Sequence, residues 1–172
     1  MSIDVRCNPK RFNINEKKLG TIARFICRQL GLPSHEVAVT LVESAEIKRL
    51  NKDFRKKNKA TDVLSFPQLE WDRPRKVGDG VVKQKRGAPP ESLGDVVISL
   101  PEAKANAASI GQPLDRELAF LLVHGTLHLC GHDHIKAAEV KKMLTEQRKL
   151  MRLMADRATG PLWKNCVREL GA

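Results

Sequence analysis

The run His124-Gly-Thr-Leu-His-Leu-Cys-Gly-His-Asp-His134 places four of the chain's five histidines within eleven residues. On a helix, His124 and His128 lie four residues apart and project from one face a turn apart, which suits two imidazoles converging on one metal ion. Gly131 can take the left-handed conformation that stops a helix, so the chain can turn there and carry His134 back toward the first two. The expected site is therefore His124, His128 and His134 around one ion. The alternative is a set of satisfied core histidines, but an apolar helix has no easy way to pair several buried imidazoles without a common partner. Three neutral imidazoles leave the full dipositive charge on the ion and a fourth position open, and an all-nitrogen donor set favours Zn2+.

The spacing His-x3-His-x5-His, with its glycine seven residues after the first histidine, is similar to the metzincin protease pattern. Those proteases carry a glutamate directly after the first histidine as general base. Gly125 stands there in this chain, so the water-activating carboxylate of peptide hydrolysis is missing. Cys130, inside the run, reads as a small buried hydrophobe rather than a fourth ligand. Asp133 reads either as a group that orients a ligand histidine or as a turn cap.

The first two histidines need a rigid support. Leu114 to Cys130 is apolar nearly all round, which predicts a helix deep in the protein. A further helix is expected from Ile135 to about Ala158, with Val140, Met143, Leu144, Met151 and Met154 inward. Upstream, Ile3 to Cys7 reads as a strand and Asn13 to Leu30 as a helix stopped by Gly31 and Pro33. Glu36 to Val42 reads as a second strand, parallel to the first through a right-handed crossover. His35, alone before it, reads as a surface residue without a role. Ser44 is expected to cap a helix through about Phe54, and Thr61 to Pro67 reads as a buried strand. Leu93 to Ser99 reads as another strand, followed by a capping box of Ser99 and Glu102 that starts a helix toward Ala108. Between the last two strands, 68–92 mixes prolines and glycines with basic residues and reads as a long mobile loop, with Trp71 read as its anchor on the domain ahead of a base-stacking role. The segment past Gly160 carries no clear signal. The expected fold is α/β (α+β), a mixed sheet of about four strands with helices around a central buried helix, forming one domain over 1–172.

Lysine and arginine number 31 against 20 acidic residues, a net charge of +11, which favours a polyanionic partner, nucleic acid first. The densest run is Lys48, Arg49, Lys52, Arg55, Lys56, Lys57 and Lys59, readable as a phosphate-contacting edge or as a solvated helix end. Cys7, Cys27, Cys130 and Cys166 are too widely spaced to suggest a disulfide framework. No signal-peptide order opens the chain and no apolar run approaches a membrane span, so a soluble cytoplasmic protein is expected.

Taken together, the histidine run at 124–134, Asn-Lys-Ala-Thr-Asp-Val-Leu-Ser-Phe-Pro at 58–67 and Leu-Gly-Asp-Val-Val-Ile-Ser at 93–99 resemble the YbeY family, whose motifs occur in this order. The resemblance implies a zinc-dependent, single-strand-specific endoribonuclease acting in ribosomal RNA maturation and ribosome quality control. Single-stranded and ribosomal RNA, the ribosome and ribosomal proteins are then the expected partners, with no membrane and no DNA. It places the metal ligands on His124, His128 and His134, and a functionally important arginine on Arg55. That arginine would hold a phosphate oxygen as negative charge builds. The chain departs from the family pattern at His132 and in the length of the basic stretch 68–92. Two other classes fit the same residues: a non-enzymatic ribosome-associated factor with a structural metal, and a metal-dependent hydrolase of another substrate.

Overall fold

The computed structural model describes residues 1–7 and 12–169. Five helices and six strands follow one another along these residues. Strands β1 (Ser2–Arg6), β3 (His35–Val42), β5 (Glu91–Ser99) and β4 (Val63–Pro67) form a mixed sheet in the order β1-β3-β5-β4. The first three are mutually parallel and β4 is antiparallel to β5. The β1-to-β3 crossover runs through α1 (Glu16–Gln29), whose Leu19, Ile22 and Ile26 are buried. β4 is therefore an edge strand rather than a strand enclosed on both sides.

The two faces of the sheet carry different helices. α1 and α4 (Leu114–Leu129) cover one face, and α2 (Ser44–Arg55) covers the other over a cluster of Val42, Ile47, Leu64 and Val97. α4 lies as deep as its composition requires: Leu118, Leu122, Val123, Leu127 and Leu129 have no exposed surface. Each such side chain contributes about 1.5–3 kcal/mol relative to exposure, which makes α4 a rigid support. It touches α1, α3 (Leu100–Ile110), α5 (Ala137–Ala155) and both β4 and β5.

Several expectations are corrected. Asn13 and Ile14, expected in the first helix, belong instead to β2 (Phe12–Ile14), paired antiparallel with β6 (Val167–Glu169) in the segment that carried no signal. The cap residue of α2 is Glu43, not Ser44, and the Ser44 hydroxyl instead donates to Glu102 at 3.1 Å. Ser99 does cap α3, accepting from the Glu102 amide, but the Glu102 carboxylate is turned to Ser44. α5 is shorter than expected at both ends. Met143 and Met154 are buried on it as anticipated, but Leu144 is 42% exposed. His35 is buried rather than superficial, with its ring 6.4 Å from Trp71 and burial lowering its pKa.

The stretch between β4 and β5 is fastened over much of its length. Gly78 and Val82 donate backbone hydrogen bonds to Gln29 and Gly31, and the Arg75 guanidinium donates to the carbonyls of Leu30 and Gly80. Arg73 pairs with Asp79 at 2.9 Å. Local charge pairing and backbone hydrogen bonds hold residues 73–82 against the end of α1, in place of the mobile loop expected from composition.

Candidate metal centre

α4 ends in a way that aims the third histidine. Cys130 closes the helix, Gly131 takes φ 95°, the Gly131 amide donates to His128 and the His132 amide donates to Leu127. These are the two paired bonds of a Schellman end, and the glycine supplies the left-handed residue it requires. Beyond it, Asp133 accepts from the His134 amide at 2.7 Å, so the turn-capping role of this aspartate is realised.

The result is convergence. The Nε2 atoms of His124 and His128 are 3.1 Å apart, and Nδ1 of His134 is 3.0 Å from His128 Nε2. One nitrogen from each ring falls within 4.8 Å of the others, so the three could hold a metal ion. Nitrogens at the corners of a tetrahedron around zinc, about 2.0–2.1 Å from the ion, are themselves about 3.3 Å apart, so the spacing fits such an ion. The ring orientation fits as well. His128 Nδ1 donates to the His132 carbonyl at 3.0 Å, which fixes the proton there and leaves the Nε2 lone pair facing the cluster. His124 Nδ1 lies 2.7 Å from Gln147 Nε2. A half turn of that amide presents its oxygen instead, so that Nδ1 donates and Nε2 of His124 is likewise free to bind.

Burial lowers the pKa of His124 from 6.5 to about 4, with His128 and His134 adding to the shift, and burial followed by the charge of His134 lowers His128. A histidine whose folded pKa is depressed binds more protons unfolded than folded, so its contribution is intact above about 6.5 and is lost as pH falls toward the folded value. The unfolding free energy of the metal-free protein is therefore expected to drop between about pH 7 and about pH 5, by about 2 kcal/mol from His124 alone, and the urea midpoint falls with it. A midpoint that stays level over that window would contradict the burial of these rings.

Gly125 is a steric requirement of the packing. A Cβ built there would stand 2.6 Å from Val96 Cγ1, and Ser65 Oγ already donates to the Gly125 carbonyl at 3.1 Å. α4 can thus press against β4 and β5 only because this position has no side chain. Gly125→Ala is expected to cost about 1–3 kcal/mol in chemical denaturation, as overpacking does, and Gly125→Glu more. A glutamate variant that kept wild-type stability would show that α4 can move away from the sheet.

The two departures noted in the sequence meet at the turn. His132 is buried and its Nε2 donates to the Arg75 carbonyl at 2.6 Å, while the Arg75 amide donates to Cys130. Trp71 Nε1 donates to the Leu129 carbonyl at 3.0 Å, so it anchors the loop as expected. Val77 donates to Glu146, the neighbour of Gln147 on α5. Residues 71–77 of the 68–92 stretch thereby strap the bend between the second and third histidines, and His132 belongs to the strap rather than to the triad. Cys130 is fully buried with its thiol pKa pushed up by burial, so it stays a neutral apolar filler.

A cleft of about 280 Å3 opens beside the histidines, lined by Asp62, Val63, Phe120, Met143 and Gln147 along with His124 and His134. Arg55 is not among its lining residues. Its Nη2 donates to the Ser65 carbonyl on β4 at 2.6 Å and its guanidinium lies 5.7 Å over the Phe66 ring. Gln147 was missed from sequence, although it falls at helical spacing with Met143, Leu150 and Met154, where a buried polar residue needs a partner.

A model of the family described as endoribonuclease YbeY matches residues 4–155. The chain belongs to the YbeY family. The endoribonuclease YbeY of Bacillus cereus (strain G9842) is 40% identical over 116 residues, which is 67% of this chain and 70% of that protein. The Bacillus licheniformis YbeY is 44% identical over the same length, with the same shares of each chain. The Myxococcus xanthus YbeY is 44% identical over 134 residues, 77% of this chain but only 41% of that longer protein. The solution structure of TM1509 from Thermotoga maritima superposes with a TM-score of 0.55 at 25% identity, covering 86% of this chain and 85% of that one. In this YbeY protein the histidine triad sits on a helix end braced through Trp71, Arg75 and Val77. Among the described residues no helix is long and apolar enough to cross a membrane.

Proposed function

We propose that this protein is a zinc-dependent, single-strand-specific endoribonuclease that hydrolyses RNA phosphodiester bonds. In this reading it works as one domain in the cytoplasm, in ribosomal RNA maturation and ribosome quality control, with the ribosome or ribosomal proteins as partners. The observation that carries the reading is the convergence of three imidazole nitrogens beside an open cleft, in a chain of an endoribonuclease family. His124, His128 and His134 would hold the ion. When bound there, it supplies Lewis-acid polarisation of a phosphate oxygen.

The chain's own groups do the rest. The His132 carbonyl and Gln147 keep two rings turned to the ion, and the strap through Trp71 and Arg75 holds the third ligand's turn in place. Arg55, on the free edge of β4, can exchange its bond to Ser65 for a non-bridging phosphate oxygen. The net charge of +11 supplies affinity that does not depend on base identity and weakens with salt. The absence of space for a carboxylate at Gly125 counts against peptide hydrolysis by the route of the histidine-glutamate proteases.

The test is cleavage of structured and unstructured RNA by purified protein, before and after chelation and re-addition of zinc. Unstructured RNA should be cut only with metal present. Cutting that survives both chelation and substitution of the histidines would refute the assignment, and RNA binding without any cutting would favour the non-enzymatic factor.

A further inference from the structure

On the face of the sheet opposite the histidines, α2 borders a second groove of about 400 Å3 whose floor is the sheet itself, with Thr40 on β3, Asp95 and Val97 on β5 and Phe66 on β4 facing Leu50 and Phe54 of α2. Phe54 is 65% exposed and meets Phe66 edge to face, with ring centroids 5.3 Å apart. What sets Phe54 apart from the other exposed hydrophobic side chains is its setting, an open aromatic face beside a second ring at the end of a helix rich in lysine and arginine. We propose that this groove is a subsite for an unpaired nucleobase of the RNA, stacked on the exposed face of Phe54 with Phe66 as the wall beside it, while the adjoining phosphates lie on the cations of α2 and the turn after it. The proposal rests on RNA being the substrate and adds the place where a strand is required to be single.

The charges are arranged for a base inside and phosphates outside. Asp95 and Glu46 line the groove, where carboxylates repel a phosphate but accept hydrogen bonds from base amino and imino groups. Arg6 and Arg49 also line it, and both lie near Glu46, at 3.3 and 4.0 Å. Asp95 is the register partner of Phe66, which sets its carboxylate at the edge of the aromatic wall. Outside, Lys52, Arg55, Lys56 and Lys57 are exposed. Arg55 spans the gap by lying over Phe66 while holding Ser65.

The groove and the metal cleft share β4. Val63 lines the cleft and Phe66 lines the groove, three residues on and on the other face of the edge strand, about 10 Å along it. A strand crossing the free edge of β4 can therefore present its backbone at the histidines and a neighbouring base to the aromatic pair. A paired base cannot enter, because its stacking faces and hydrogen-bonding edge are already covered by its own duplex.

The experiment compares zinc-loaded wild type with Phe54→Ala, Phe54→Leu and Phe54→Trp for binding and cleavage of an unpaired oligoribonucleotide, and of the same oligonucleotide with abasic positions flanking the cut. Base-to-aromatic stacking is worth about 1–3 kcal/mol, so Phe54→Ala and Phe54→Leu should weaken binding roughly tenfold, Phe54→Trp should retain it, and none should differ from wild type on the abasic strand. Metal content should be equal in all four proteins. Unchanged affinity in Phe54→Ala, or an equal loss on the abasic strand, overturns the subsite even if wild type cleaves. Base-dependent binding through Phe54 in a protein that cleaves nothing would uphold the subsite and sink the nuclease reading instead.

Discussion

His128→Ala is expected to remove bound metal and RNA cleavage together, with cleavage falling about a hundredfold or more. His128 is the middle of the triad: its Nε2 lies 3.1 Å from His124 Nε2 and 3.0 Å from His134 Nδ1, so its loss leaves two ligand nitrogens with no shared neighbour. The scale follows from the general finding that removing one electrostatic stabiliser of a developing oxyanion costs about 10²–10³ in rate. The substitution also frees the His132 carbonyl, so thermal unfolding must be followed in parallel to separate lost chemistry from lost fold. Folded, zinc-free and inactive protein is the expected outcome. Retention of stoichiometric zinc would mean that the three rings do not share an ion, and normal cleavage without zinc would locate the chemistry elsewhere.

Arg55→Ala should give a different signature: wild-type zinc content with cleavage lowered about 10²–10³-fold, mostly in kcat. Arg55 touches none of the histidines. It holds the edge of β4 through the Ser65 carbonyl, and Ser65 in turn donates to Gly125 beside His124. The guanidinium thus stands one strand away from the triad, within a side chain's sweep of a phosphate laid across β4. Arg55→Lys separates charge from shape: lysine keeps the cation without the planar fork, so partial activity is expected. Loss of zinc in Arg55→Ala would mark the arginine as a brace for β4 and α4, and full activity would remove it from the mechanism.

The triad was legible because it depends on short-range rules. Histidines four apart share a helix face, a glycine closes the helix in a Schellman end, and an apolar surface all round places that helix in the core. The β-branched runs of β3 and β5, and the parallel crossover through α1, were readable for the same reason. What escaped depends on partners far along the chain. Ser44 looked like a cap, but the helix already begins at it and its hydroxyl donates to Glu102, 58 residues away. The three-residue pairing of β2 with β6 joins residues about 155 apart, too short at either end to signal a strand. His35 looked superficial because neither Trp71 nor Glu91 is near it in sequence.

The same division runs through the site itself. Local helix geometry, spelled out in the order of residues from 114 to 134, was enough to say which three rings face one another, since each depends only on neighbours within a few turns. Whether those rings carry their protons on the far nitrogen depends on His132 being held by Arg75 and on Gln147 arriving from α5. Whether position 125 tolerates a side chain depends on Val96 standing behind it. Such contacts form only when distant segments close against each other, because a hydrogen bond or a steric limit acts over a few ångströms in space and leaves no periodic trace along the chain.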